Sequence, residues 1–483
     1  MVSRLSLPVP LLSLLSLVSC AGGAATIDPS SFASSAILSR DVAIIGGGSS
    51  GTFAAVNLKR AGHSVVLIEK NSRLGGHVDT FRDPASGATF DYGVVALLNT
   101  SVVRDYFSFL QEPLMDLPSN AGGDVRAFAN LRTDAKNVTL PPTIPWADPA
   151  AVFAAIQGYE AQISRYPFLV GGYNLPDPVP ADLLLPFGDF LAKHNLTAIA
   201  NMAFSFVQGM GNVLATTTLY VFKYLPKTTV DAFVGLTPPP VASANLNFQG
   251  FYDKALAYLG SGTNAFVSSR VLAIDRSGPR VLVAVATPSG PKLISAKKLL
   301  VAIQPKAQSL QGLGLDLSAE EKSVFGQFNN SYYWDIVIKN SGVPPGVRVT
   351  NVDLDAPLGI APMPGLYGIS PAPLPGYSTA YYGSPSLRTD EQVKADTLAA
   401  VAKYAAANGL PAASPEIVGF NNHAPFWLTV PPSKIASGFY SQLNALQGKR
   451  NTWWTGAAWV AHDSTAIWGW SNSTLLPALE GSL

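Results

Sequence analysis

The hydrophobic pattern of this chain changes period several times, and each change marks an element. Asp41-Val42-Ala43-Ile44-Ile45 is a continuous, β-branched apolar run of the length expected for a strand buried on both faces. A glycine-rich turn follows. From Ser50 to Ala61 the apolar positions Phe53, Val56 and Leu58 fall on helical spacing among small residues, and Ser64 to Ile68 returns to strand character. This is one β-α-β unit.

From Val103 to about Tyr224 the pattern turns helical and aromatic, in pieces such as Pro149 to Tyr166 and Pro180 to His194 separated by Pro/Gly-rich turns. Strand-like runs come back at Ala265 to Asp275, Val281 to Thr287 and Leu299 to Ile303, so the chain leaves the first domain and revisits it. A second departure, about Gln311 to Thr429, holds strand candidates at Tyr332 to Lys339 and Pro415 to Phe420. Between them lies a helix signalled by a Thr389/Gln392 capping box and closed by Gly409. Asn451 to Leu483 runs through Trp453, Trp454 and Gly456 into a helical ending. The division expected is 40–102, 241–310 and 436–483 for the split domain, with 103–240 as a helical insertion and 311–435 as sheet and helix. A Ser/Ala-rich linker, about Thr26 to Ser39, precedes the first strand.

At 483 residues, two domains are expected, because single cores stop growing well below that length. Charged residues are only 13%, and 32 basic against 31 acidic side chains leave no summed field to attract nucleic acid or an anionic membrane. Small molecules are the expected partners. Residues 1–25 place Arg4 ahead of an apolar run from Leu11 to Val18 and then small residues, the pattern of a signal peptide. The same stretch around Cys20 also suits a bacterial lipoprotein signal; plain secretion, with no stable membrane insertion, is the expectation. Cys20 is the only cysteine, so cleavage after Ala21 leaves none. Five Asn-x-Ser/Thr sequons, at Asn99, Asn137, Asn195, Asn329 and Asn472, are candidate glycan sites in a eukaryotic secretory pathway.

The chemistry begins in the turn. Gly46-Gly47-Gly48-Ser49-Ser50-Gly51 satisfies G-x-G-x-x-G between a strand and a helix, the context that gives the pattern meaning. Gly46 allows the tight turn, Gly48 lets a pyrophosphate approach the backbone, and Gly51 lets helix and strand pack. The helix N-terminus then presents unpaired N–H groups to phosphate. Glu69, followed by Lys70, ends the next strand, where a carboxylate can accept both hydroxyls of an adenosine ribose. A second glycine pair in Arg73-Leu74-Gly75-Gly76-His77 lets the chain pass close to a longer dinucleotide, which favours FAD over NAD.

These motifs, with Gly75-Gly76-His77-Val78-Asp79-Thr80, the Ala244 to Pro305 return and Thr455-Gly456-Ala457-Ala458-Trp459, resemble the flavin-containing amine oxidase superfamily. More narrowly, they resemble the fungal beta-cyclopiazonate dehydrogenase-like FAD oxidoreductases. The resemblance implies a Rossmann-like α/β FAD-binding domain of glutathione reductase type, with a discontinuous α+β substrate domain. It further implies Val271 meeting adenine through its backbone, Gly456 against the pyrophosphate, and Ala466 and Ile467 opening a helix whose N–H groups face the flavin pyrimidine edge. Two positions depart from the family pattern: His77 stands where arginine is usual, and Ala457-Ala458 where an acid is common.

For catalysis, His423 in Asn421-Asn422-His423-Ala424-Pro425 is the candidate proton acceptor, against a hydrogen-bonded structural histidine. Lys339 is a candidate for the lysine that orders water beside the flavin in amine oxidases, against an ordinary solvent-facing lysine. Tyr332, Tyr333, Trp334, Tyr381, Tyr382 and Trp459 suit either a substrate cage or the core. The histidines are dispersed along the chain, and no metal set is expected. The leading expectation is an oxidoreductase moving hydride from a C–N or C–C bond of a small metabolite to flavin N5, in secondary metabolism. The alternatives are a flavin-dependent double-bond isomerase and a binding protein that kept the fold without flavin.

Overall fold

A computed structural model of the protein describes residues 18–21, 24–117, 125–411 and 414–483. The expected signal peptide lies for the most part outside them; within it, the backbone of Val18–Ala21 pairs antiparallel with Ala24–Ile27.

The first strand is longer than its apolar run, Ile37–Ile45, and lies at the centre of a sheet. Its neighbours are Val65–Ile68 on one side and Gly290–Val301 on the other, both parallel to it. Ala265–Phe266 extends the parallel set beyond Val65–Ile68. On the other side an antiparallel meander adds Val281–Thr287 and then Arg270–Asp275. The short strand Thr452–Trp454 pairs in parallel with the end of Gly290–Val301, so the sheet draws on three separated stretches of chain. Burial on both faces explains the unbroken apolar run: Val42, Ala43 and Ile44 are each fully buried.

The predicted 265–275 strand is two strands, because Ser268 turns the chain with φ +49° between them. The N-terminal linker is packed structure: Ile27 and Phe32 are buried with Ala273, Ala284 and Leu293. The expected boundary at 103 runs through the helix Ser101–Phe109. That helix belongs with the first domain, since Tyr106 meets Phe53 and Trp468 edge-on at 5.0 and 5.1 Å.

The second sheet has six strands in the order Glu416–Asn422, Tyr332–Lys339, Tyr377–Ser384, Gly365–Pro371, Val347–Asn351 and Val125–Ala129. The last lies inside the region expected to be helical. The capping-box helix forms at Asp390–Ala407, with Thr389 and Gln392 bonded reciprocally as expected. It covers one face of this sheet, where Val393, Val401 and Tyr404 pack on Trp334, Ile336, Ala380 and Tyr382. Strand alternation places Tyr333, Asp335 and Tyr381 on the opposite face, with Asp335 directly across from Tyr381. Among the described residues, no helix is long and apolar enough to cross a membrane.

Candidate active site

The glycine turn is built by backbone contact. A Cβ on Gly51 would collide with the Gly46 carbonyl oxygen, and one on Gly76 would stand 2.9 Å from the Gly48 Cα. The Gly75 N–H donates to the Gly47 carbonyl at 2.8 Å, which brings the two glycine motifs together. Gly48 differs from these neighbours. Its Cβ would meet only the Gly76 Cα, at 3.8 Å, and one on Gly456 would meet only Ser50 Oγ, at 3.7 Å. Gly48, Ser49, Gly76 and Gly456 all keep accessible surface, so the glycines leave a cradle that side chains would fill. That is the fit a pyrophosphate asks for.

Glu69 closes one end of the cradle. Its carboxylate accepts the Gly47 N–H at 2.7 Å and the Asn71 N–H at 2.8 Å, while its carbonyl accepts the Ser269 N–H at 2.9 Å. The strand that holds Val271, Arg270–Asp275, thus begins beside Glu69; Lys70 is exposed. At the other end Ser49 and Ser464 share a hydroxyl hydrogen bond of 2.8 Å, and the Trp468 indole donates to the Ser49 carbonyl at 3.2 Å. At Ala466 and Ile467 the structure shows the N–H groups engaged within the chain. Asp463 caps their helix, so the Ala466 N–H already donates to Asp463 Oδ1 at 2.6 Å and the Ile467 N–H to the Asp463 carbonyl at 3.0 Å.

Beyond the second glycine pair the chain meets the second sheet, and three of the five histidines, dispersed in sequence, converge there. The His77 and His423 rings are 4.3 Å apart, and His462 lies parallel to His77 at 6.4 Å. Phe426 touches all three. Behind His423 stand two acids that the sequence reading did not single out as site residues. His423 Nε2 is 2.7 Å from Asp335 Oδ2 and 3.6 Å from Asp79 Oδ2, and Arg73 holds Asp79 Oδ1 at 2.6 Å. One ligand-type atom from each of Asp79, Asp335 and His423 lies within 4.8 Å of the others. The hydrogen bond to Asp335 and the guanidinium on Asp79 make this an ion-pair chain.

The three imidazoles differ in basicity for local reasons. Burial lowers His423, but the Asp335 and Asp79 carboxylates outweigh it and raise its pKa above 6.5. Burial, with charge on His423 as a smaller cause, holds His77 well below that value. Burial pushes His462 down to about 3. His423 is therefore the most basic of the three rings.

Lys339 is not brought into this group: it is exposed at the far end of its strand, its ammonium 6.0 Å from the Tyr377 ring centre. The aromatic candidates divide by face. Tyr333 and Tyr381 stack at 6.0 Å on the histidine side, and the Tyr333 hydroxyl donates to Gln208 at 2.8 Å. Trp334 and Tyr382 are core beneath the long helix, Tyr332 lies near Trp334, and Trp459 is buried against Trp454. A lone acid in the middle of the apolar run Trp334-Asp335-Ile336-Val337 was the available signal for Asp335. Tyr224 meets Trp427 edge-on at 4.9 Å, and the Trp427 ring lies 4.9 Å from that of His462; nothing local marks Phe426, Gln208 or Tyr224 in sequence.

Comparison with known proteins bears on the cofactor. Residues 44–112 match the NAD(P)-binding Rossmann-like domain family. Over 97% of both chains the protein is 38% identical to the FAD-dependent oxidoreductase oblC of Cochliobolus heterostrophus. The chain belongs to this family of FAD-dependent oxidoreductases. It is also 33% identical to beta-cyclopiazonate dehydrogenase of Aspergillus oryzae, over 91% of this chain and 92% of that one. A CLA-producing fatty acid isomerase from P. acnes shares the fold at a TM-score of 0.72 and 19% identity, covering 91% of this chain and 98% of that one. Putrescine oxidase shares it at 0.62 and 14%, covering 92% and 100%. The protein is thus an FAD-binding oxidoreductase with a Rossmann-like α/β domain and a discontinuous α+β domain, a fold it shares with putrescine oxidase.

Proposed function

We propose that this oxidoreductase is secreted and takes hydride from a C–N or C–C bond of a small metabolite in fungal secondary metabolism, with His423 handling the accompanying proton. Bound FAD supplies the two-electron acceptor, flavin N5 in this reading. The observation that carries the proposal is the position of His423: in ring contact with His77, next to the glycine pair, and oriented from behind by a buried carboxylate. Asp335 takes the Nε2 hydrogen and so leaves Nδ1 as the ring atom able to exchange a proton with substrate. An acid behind a histidine fixes its tautomer in this way in many hydrolases. Arg73 and Asp79 position the pair from the first domain. Gly48, Ser49, Gly76 and Gly456 would hold the pyrophosphate, and Glu69 with Val271 the adenosine.

The test is an anaerobic absorption titration of the purified holoenzyme with candidate amines and indole-type metabolites. Bleaching of the flavin that persists until oxygen is admitted is expected. Product formation without net bleaching or oxygen uptake would replace oxidation by double-bond isomerisation. A flavin that no added metabolite bleaches or turns over would remove the support for hydride transfer.

Secretion is supported by the Arg4 and Leu11–Val18 pattern and by the exposure of Asn137, Asn195, Asn329 and Asn472; Asn99 is half-buried, its side chain accepting from Arg104. Glycosidase treatment of protein from the culture medium should increase its gel mobility. Protein retained inside the cell and unchanged by the glycosidase would refute this part.

A further inference from the structure

We infer that the substrate is an uncharged aromatic or conjugated molecule and that the site rejects ammonium compounds; this rests on the oxidoreductase reading above. At the joint His77, His462, Tyr224, Tyr333 and Tyr381 keep accessible surface and carry no carboxylate; Asp463, beside His462, is the acid that also keeps some. Burial holds both imidazoles in the neutral form, and it raises the three tyrosines above their ordinary value.

Asp79 and Asp335 stand behind this lining. The Asp79 and Asp335 side chains are 4% and 3% exposed, and each faces a partner cation: Arg73 at 2.6 Å and His423 at 2.7 Å. Burial raises the pKa of both acids, and with Arg73 and His423 against them they present no net negative charge to a second cation. Asp463, a further acid nearby, gives its carboxylate to the Ala466 N–H at the start of the last helix. An ammonium entering the joint would lose its water and find within reach only Asp463, already engaged by the Ala466 N–H, since the partnerless oxygens Asp79 Oδ2 and Asp335 Oδ1 are buried; that is the unfavourable case for a buried charge. A flat neutral molecule meets Tyr333, Tyr381, Tyr224 and Phe426, whose rings favour offset-stacked or edge contacts.

The experiment titrates purified holoenzyme at neutral pH with two probes of similar shape, 2-naphthol and 2-naphthylmethylamine, and reads the shift of the flavin absorption bands. The neutral probe is expected to bind about tenfold or more tightly than the ammonium, a difference of about 1.4 kcal/mol. Equal or tighter binding of the ammonium overturns the inference, as does the absence of any band shift with 2-naphthol up to its solubility. His423→Ala uncovers the two carboxylates and removes the charge that neutralises one of them, so it should narrow the ratio by about tenfold. An unchanged ratio in a variant that still carries flavin would show that this joint does not select charge. A protein purified without flavin bands would count against the oxidoreductase reading itself, whereas a flavin-loaded enzyme preferring the ammonium sinks only this inference.

Discussion

The glycine turn and the histidine joint are neighbours in space and opposites in construction. In the turn, function comes from side chains that are missing: backbone from Gly46 to Gly51 packs on backbone at Gly75 and Gly76 and leaves a surface for phosphate. At the joint, the proposed function rests on side chains that converge, with His77 and Asp79 from one domain and Asp335 and His423 from the other. A local motif can encode the first. The second exists only where the two sheets meet, and its charges acquire their values from burial there.

The contrast can be broken apart by mutation, and the largest effect belongs inside the turn itself. Gly51→Val drives a Cβ into the Gly46 carbonyl and should cost about 4 kcal/mol or more, the range of severe steric damage, so little folded protein is expected. Gly48→Val, three residues away, has room in the protein. It should fold with a thermal midpoint within a few degrees of the flavin-free parent and carry no FAD. Normal flavin content in that variant would refute the cradle.

At the joint the expected losses are in rate. His423→Gln should retain flavin and slow substrate-driven bleaching by about 10²-fold or more, the scale of a lost acid-base group. Since Asp335 and Asp79 raise His423 above 6.5, its unprotonated form accumulates only above that pH, and the bleaching rate should rise with pH through a midpoint above 6.5. Asp335→Asn removes a raising cause, so the midpoint should move to lower pH; an unmoved midpoint would assign the limb to another group. The smallest effect is expected far from both regions. Lys339→Met should leave the bleaching rate within about twofold, as for an exposed side chain outside the site.

Much of the first region was legible in the sequence because its rules are local. The strand at Asp41-Ile45, the helix after it and Glu69 follow from apolar period and glycine spacing, and each formed within a few residues of its expected place. The capping-box helix was equally readable, because Thr389 and Gln392 interact only with each other's backbone. The boundary expected at 103 falls within the helix Ser101–Phe109. Tyr106 and Phe107 choose their domain by packing against Phe53, Phe251 and Trp468, contacts reaching up to hundreds of positions away along the chain. The N–H of Ala466 donates to Asp463, three residues earlier, a pairing that helix-capping rules contain and that local sequence could have supplied.

Composition and pattern alone were enough for a dinucleotide fold with a cradle of glycines, since a turn that must lack side chains writes that lack directly into the chain. The protonation states of His77, His423 and His462 belong to the folded molecule, because no stretch of sequence says which imidazole two carboxylates will find. Asp335 and Lys339 sit on one strand, four residues apart. Burial beside His423 made the first a site residue, and exposure left the second with solvent.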